Sequence, residues 1–337
     1  MSELRFAIIG FGNIGSKHYE HIINNQNARL IAVCDIDERK KGKIHHPNIL
    51  FFNNLTNMLD IIEIDILCIC TPNYLHYEHA ILALNRNKHV VIEKPMALKK
   101  TDCDSLIALA NAKQKQIFTV MQNRFSSTIQ FVKELISNNH LGKIYQIHVN
   151  CFWNRNEKYY STSNWRGIKD KDGGVLYTQF SHFVDLLYYL HGDIEIYNYG
   201  TIKNYNHAYI NIEDSGSFIM TSKKGSIINF NYSTCSFNEN MESSFTIIAE
   251  FGSLKIGGQY CNTIEYLNLQ DKNILYPKLE KISANDYGNY KGSANNHDKV
   301  INNVINVLLA KETIMSDALD GMHVVNIIEN MYNIVQP

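Results

Sequence analysis

The sequence predicts an α/β protein, with a doubly wound parallel sheet over the first third and a second domain of different architecture over the rest. Three observations predict it. The 337 residues, 45% of them hydrophobic, exceed the roughly 250–300 residues at which a single core stops growing. Strand-like and helix-like runs alternate through residues 4–122, the pattern of a parallel sheet with crossover helices. Strand-like runs then follow one another before two helical stretches close the chain. The boundary falls near Gln122, giving domains 1–122 and 123–337.

The first strand is LRFAIIG (4–10), which runs directly into GFGNIG, and SKHYEHIINN has helical spacing after it. In such a strand, glycine turn and helix, Gly10 makes the tight turn. Gly12 lets the backbone approach a pyrophosphate, and Gly15 lets the helix pack closely; Asn13 and Ile14 complete the turn. The next apolar run, LIAVCD, ends at Asp35, 20 residues after Gly15, where a carboxylate meets a ribose 2'-hydroxyl and repels a 2'-phosphate. That favours NAD over NADP, although Arg39, Lys40 and Lys41 follow closely and could accept a phosphate.

The alternation continues with IDILCIC (64–70), a helix over 76–87, HVVIE (89–93), a helix over 101–113 and QIFTVMQ (116–122). Ligands of such sheets sit beyond the carboxyl ends of the strands. Thr71, Pro72, Asn73 and His76 of TPNYLH, Glu93 and Lys94 of EKP, and Gln122 therefore belong with the glycine turn as cofactor-binding candidates. Lys94 stands at a strand end beside a glutamate and before a proline. It is either a solvated lysine or a donor to a substrate hydroxyl, able to stabilise an alkoxide as hydride leaves.

In the second half the strand-like runs are IYQIHVNCFW (144–153), SFIMTS (217–222), SIINFNYST (226–234), FTIIAE (245–250) and IEYLNL (264–269); helices are expected over 296–309 and 319–332. Between them GGVLYTQFSHFVDLL (173–187) sets His182 between a glycine pair and an apolar helical run. By itself this stretch favours an ordinary helix histidine.

Composition excludes several classes. With 32 basic and 33 acidic residues the formal charge is -1, so there is no basic stripe for a nucleic-acid backbone. No run approaches the roughly 18 apolar residues of a membrane span, and the N-terminal apolar run is too short for a signal peptide. A soluble, cytoplasmic protein is expected. The seven cysteines are scattered singly, as reduced thiols are. No histidine or cysteine spacing gives a metal-ligand pattern, and hydride transfer to a nicotinamide needs no metal.

AIIGFGNIG, CDID, CTPNYLH and EKP, in that order, resemble the Gfo/Idh/MocA family of nicotinamide-dependent sugar and cyclitol oxidoreductases across almost the whole chain. The resemblance implies a Rossmann domain followed by an α/β domain on a large, mostly antiparallel sheet, whose outer face makes subunit contacts in a homodimer or homotetramer. It also implies that His182, in the family's position for a catalytic histidine, is the general base. Thr178 stands where many sugar dehydrogenases of the family carry an aspartate. Members that oxidise the 3-hydroxyl of UDP-linked N-acetylhexosamines or their uronic acids also lack it.

FWNRNEKYYSTSNWRG (152–167) and YKGSANNHDKVINNV (290–304) resemble segments of those nucleotide-sugar oxidases. Trp153 and Trp165 offer flat apolar faces for a sugar or base, or else are core. Arg155 and Arg166 offer forks for a diphosphate or carboxylate, or else are solvated. Asn123, Arg124 and Gln179 are further substrate candidates, and His297 either contacts substrate or caps a helix.

The expected reaction is NAD-dependent oxidation of a UDP-N-acetylhexosamine, or its uronic acid, to a 3-keto sugar that an aminotransferase consumes, with 2-oxoglutarate as a possible partner in cofactor reoxidation. The alternatives are a dehydrogenase of a free sugar or cyclitol such as myo-inositol, and a non-catalytic dinucleotide-binding regulator.

Overall fold

The computed structural model describes residues 3–280, 284–286, 288 and 290–335. The chain folds as two compact units, Met1–Met121 with His297–Val325, and Gln122–Asn296 with Asn326–Pro337. The segment expected as one domain from residue 123 onward is thus divided. Its penultimate stretch joins the first unit.

The first unit runs β1 (Leu4–Ile9), α1 (Asn13–Ile23), β2 (Ala28–Cys34), β3 (Leu50–Phe52), α2 (Leu55–Ile61), β4 (Ile66–Ile69), α3 (His76–Asn85), β5 (His89–Ile92), α4 (Lys100–Lys113) and β6 (Ile117–Thr119). The six strands are ordered β3-β2-β1-β4-β5-β6, and every pairing is parallel. Burial on both faces explains why the strands read as unbroken apolar runs: Ile66, Leu67, Cys68 and Ile69 are all 0% exposed. Strand order reverses between β1 and β4, so ligands belong beyond their carboxyl ends.

The second unit contains α5 (Ser127–Ser137), β7 (Ile144–Phe152), α6 (Glu157–Ser161), α7 (Lys169–Asp172), α8 (Ser181–His191), β8 (Ile194–Lys203), β9 (Ser215–Ser222), β10 (Ile227–Ser233), β11 (Glu242–Ala249), β12 (Gly252–Gly257), β13 (Thr263–Leu269), β14 (Ala284–Asp286) and β15 (Lys291–Ala294). Helix α9 (His297–Leu308) follows, and α10 (Ala318–Asn333) carries the chain from one unit into the other.

The seven-stranded sheet is ordered β13-β12-β11-β7-β10-β9-β8 and is antiparallel except where β10 pairs with β7. Its strands alternate. Phe218, Met220, Ile228 and Phe230 lie at 0% exposure on the inner face, while Ile219, pairing Tyr199 on one side and Asn229 on the other, faces out. Trp153, Phe180, Phe183 and Tyr232 form an aromatic cluster on the inner side, with ring centroids 5.4–5.5 Å apart along the contacts Phe180–Tyr232, Trp153–Phe180 and Trp153–Phe183. That cluster seats the start of α8.

The free cysteines carry no disulfide, and five of the seven are buried. Among the described residues, no helix is long and apolar enough to cross a membrane.

Candidate active site

In the first unit the glycine turn is shaped by backbone contact. Gly10 has φ +88°, and a Cβ there would stand 2.7 Å from the carbonyl carbon of Cys70. At Gly15 a Cβ would stand 2.0 Å from the Gly10 oxygen, so only hydrogen fits at either place. At Gly12 nothing lies within 4 Å of the same added atom. The backbone is open there, at the N-terminus of α1, where amide hydrogens and the helix dipole favour an anion. Asn13 is exposed and Ile14 half-buried beside it.

Asp35, just past β2, accepts the Phe11 N–H at 2.7 Å through Oδ2 and the Asp37 N–H at 2.9 Å through Oδ1. Its carboxylate is therefore fixed at the side of the glycine turn. An open amide cradle with a fixed carboxylate beside it fits a dinucleotide, pyrophosphate on the amides and ribose on the acid. Arg39, which competes in the sequence as a phosphate acceptor, donates instead to Asp37 at 2.8 Å.

The turns after β4 and β5 are tied together. His76, 1% exposed, places Nε2 2.8 Å from the Thr71 carbonyl oxygen and Nδ1 2.6 Å from that of Pro95. Both ring nitrogens are occupied by backbone, so His76 shapes the two turns and does not present a nitrogen to a ligand. Burial pushes its pKa below the ordinary value. Thr71 and Pro72 are half-buried and Asn73 is buried.

Lys94 is half-buried just past β5, and Glu93 before it is 6% exposed. The Glu93 Oε1 lies 2.9 Å from His18 Nε2. Burial is the largest influence and works to raise this carboxyl, but the hydrogen bond from His18 and the neighbouring His297, His18 and Lys94 together outweigh it and leave the group below its ordinary value.

In the second unit Gln122, Asn123 and Arg124 share one buried turn, Gln122–Phe125. Gln122 Nε2 donates to Ser293 Oγ at 2.8 Å and lies 3.5 Å from His182 Nε2. Asn123 buries both polar atoms of its amide with no hydrogen-bond partner among the described residues, an arrangement that calls for a ligand or water. Arg124 is committed to Asp185: its Nη2 donates to Oδ1 at 2.6 Å and its Nε to Oδ2 at 3.0 Å. It anchors α8 and is not a substrate fork.

The chain enters α8 through Gly173 and Gly174, with φ +88° and +124°, and then a π-type turn over Leu176–Phe180, a distortion frequent at functional sites. His182 is the second residue of α8 and 4% exposed. Thr178 donates to the buried Asp172 through a short hydrogen bond, so a carboxylate does stand beside this position, supplied from six residues upstream. Burial pushes the Asp172 carboxyl up to about 6. Behind the glycine pair Glu213 accepts the Val175 N–H at 2.9 Å and the Tyr332 hydroxyl at 2.5 Å, and burial pushes it up to about 7.

Two family models match the chain. The oxidoreductase family's NAD-binding Rossmann fold matches residues 4–121, and its C-terminal alpha/beta domain matches residues 133–336. The chain belongs to the Gfo/Idh/MocA oxidoreductase family. Within it, glucose-6-phosphate 3-dehydrogenase of Bacillus subtilis is 30% identical over 192 residues, 55% of this chain and 53% of the relative. D-glucoside 3-dehydrogenase of Escherichia coli is 31% identical over 147 residues, 43% of this chain and 42% of the relative. The chain thus spans about half the length of the curated relatives it matches. Among solved structures, the WlbA dehydrogenase from Bordetella pertussis, in complex with NADH and UDP-GlcNAcA, is similar over 98% of this chain and 96% of its own, with a TM-score of 0.88 and 28% identity.

For a Gfo/Idh/MocA chain the NAD-binding Rossmann fold accounts for the six-stranded parallel sheet of the first unit. Several substrate candidates of the sequence lie elsewhere. Trp153 is 1% exposed and donates its indole N–H to Ser243 Oγ at 2.8 Å, a core residue. Arg155 is equally buried and donates to Gln179 Oε1 at 2.6 Å, while Gln179 Nε2 donates to Tyr159 at 2.5 Å. Trp165 and Arg166 remain half-buried, with the Arg166 guanidinium 4.3 Å above the Tyr159 ring. His297 is buried, 3.6 Å from Glu93, with neither ring nitrogen hydrogen-bonded among the described residues.

Sequence reasoning missed Asp172, Glu213 and His18. Their signal was weak: each reads as an ordinary polar residue until the fold buries it.

Proposed function

We propose that this protein oxidises the 3-hydroxyl of a UDP-linked N-acetylhexosamine, or of its uronic acid, to a 3-keto sugar with NAD. The observation that carries the reading is the likeness to the WlbA dehydrogenase bound to NADH and UDP-GlcNAcA, which extends over 98% of the chain at 28% identity. The names of two curated relatives also specify oxidation at position 3. Thr178 in place of the family's aspartate supports the nucleotide-linked substrate over a free sugar. The ketone is the functional group that a transaminase needs to install a 3-amino group.

NAD, when bound, supplies the hydride acceptor. His182 takes the hydroxyl proton as general base, a task suited to an imidazole near neutral pH. The Lys94 ammonium donates a hydrogen bond to a substrate hydroxyl and stabilises the negative charge that develops as hydride leaves. Asn123, with its amide unpartnered and buried, is the residue of the Gln122–Phe125 turn that contacts substrate. Reoxidation by 2-oxoglutarate belongs to this reading. So does a homo-oligomer through the outer face of the seven-stranded sheet, where Tyr199, Ile219, Ile227 and Ile248 are all exposed.

The curated relatives favour a second reading, a dehydrogenase of a sugar without a nucleotide, such as a sugar phosphate or a glucoside. NADH formation with UDP-N-acetylglucosamine, its uronic acid, glucose 6-phosphate and myo-inositol, with and without 2-oxoglutarate and with mass detection of the product, separates the two. A UDP-linked 3-keto product supports the first reading. Turnover of the unlinked sugars alone overturns it.

A further inference from the structure

Three side chains far apart in the sequence meet inside the first unit: His18 on α1, Glu93 past β5 and His297 at the start of α9. His18 Nε2 lies 2.9 Å from Glu93 Oε1, and His297 Nε2 lies 3.6 Å from the same oxygen. One ligating atom from each falls within 4.8 Å of the other two. Their exposures are 1%, 6% and 1%.

The hydrogen bond between His18 and Glu93 accounts for two of these groups and leaves the third unexplained. Among the described residues, neither ring nitrogen of His297 has a hydrogen-bond partner, and Nδ1 of His18 has none. A buried imidazole with both nitrogens idle is rare in a folded protein, and an ion or water is the usual reason for one. We propose that His18, Glu93 and His297 form a binding site for one divalent transition-metal ion of the zinc class.

The chemistry fits such an ion. Zinc holds imidazole nitrogen at about 2.0–2.1 Å and carboxylate oxygen at about 2.0–2.2 Å, which places tetrahedral donors about 3.3 Å apart. The observed 2.9 and 3.6 Å bracket that separation. Two imidazoles and one carboxylate suit zinc, cobalt, nickel or iron, whereas magnesium and calcium take oxygen ligands.

A second cluster, His207, Asp214 and Cys235, has comparable spacing but is already satisfied. His207 Nδ1 is 2.9 Å from Asp214 and Nε2 is 2.6 Å from the Arg155 carbonyl oxygen, while Asp214 Oδ2 also accepts the N–H groups of Tyr205 and Asn206. It has no idle donor atom on its histidine. The proposed site does, and an ion there would lock α1, the end of β5 and α9 together, one residue before Lys94.

Purified full-length protein, stripped with a chelator and titrated with Co²⁺ followed by its visible absorption, tests the site without reference to turnover. One Co²⁺ per chain, displaced by Zn²⁺, is expected. His297→Ala and the larger His297→Gln should each weaken binding by about 100-fold or more, with circular dichroism unchanged, and Cys235→Ser should leave it as it was. Absence of a stoichiometric cobalt spectrum in the wild-type chain overturns the proposal. So does binding that survives both His297 variants, which would assign it to surface histidines such as His45 and His46.

Discussion

Arg124 and Asp185 form a forked ion pair in the interior of the second unit, 2.6 Å at its shortest, with side chains 2% and 1% exposed. Asp185 lies three residues after His182, nearly one turn along α8, so the pair fixes the rotation of the helix that carries the proposed base. Removing one partner of a buried pair strands a charge, at a cost of about 3–5 kcal/mol. Asp185→Ala should therefore lower stability by roughly that amount and depress turnover as well. Urea denaturation and initial rates measure the two. Unaltered stability would mean that water reaches the guanidinium.

Lys94→Ala and His182→Ala should each reduce turnover by about 10²-fold or more while NAD affinity stays nearly constant, as expected of groups that act on the substrate oxygen. Tryptophan quenching by NADH reports the affinity independently of rate. An equal loss of affinity would recast either residue as structural.

Asp35→Ala should raise the NAD dissociation constant by about 10-fold and narrow the preference against NADP, because the carboxylate both accepts the ribose hydroxyl and repels a 2'-phosphate. Maximal rate at saturating NAD should fall little. Since Asp35 also accepts the Phe11 N–H, Asp35→Asn separates the backbone contact from the charge.

The contribution of Asp172, pushed up to about 6, and of Glu213, pushed up to about 7, in both cases by burial, should fall as pH rises, against the opposite trend of the histidines that burial pushes down. Between their ordinary values and these, the folded chain holds protons that the unfolded chain has released. Stability is then fully present below the unfolded pKa and declines until the folded pKa is passed. Glu213→Gln removes one of the two. The urea midpoint of that variant relative to the wild type should rise between about pH 5 and about pH 8, and no such rise would remove Glu213 from the account.

The parallel sheet was legible because its strands are apolar on both faces and its helices follow at regular intervals. The predicted strand at 64–70 is observed as Ile66–Ile69, and the helix at 101–113 as Lys100–Lys113. Strands β8 and β12 were not read. The run IEIYNYGTIK mixes exposed tyrosines with asparagine and glycine, and GSLKIG is bounded by glycines, so neither shows a clean alternation. In the candidate site, glycine spacing exposed the cradle because backbone clearance at Gly10 and Gly15 admits no other residue. The roles of His76, Arg124, Trp153 and Arg155 were not legible. Each is a polar or aromatic residue whose partner, such as the Pro95 carbonyl or Ser243, is chosen by the fold and leaves no periodic trace. His18, Glu93 and His297 are the extreme case, since no local spacing relates them.

The last residues of the first unit arrive late. His297–Val325 belongs to it, and there the Thr119 N–H and hydroxyl reach the carbonyls of Ser316 and Asp317 at 3.1 and 3.0 Å, while Phe118 bridges to Asp317 beside the edge strand β6. During synthesis the strands that cradle the dinucleotide leave the ribosome before residues 297–325, and their outer edge stays open until that segment has emerged. A chain cut after Asn296 would keep every residue of the glycine turn and still expose that edge to its neighbours. Residues 297–325 are thus the cover of an edge that the strands cradling the dinucleotide cannot close by themselves.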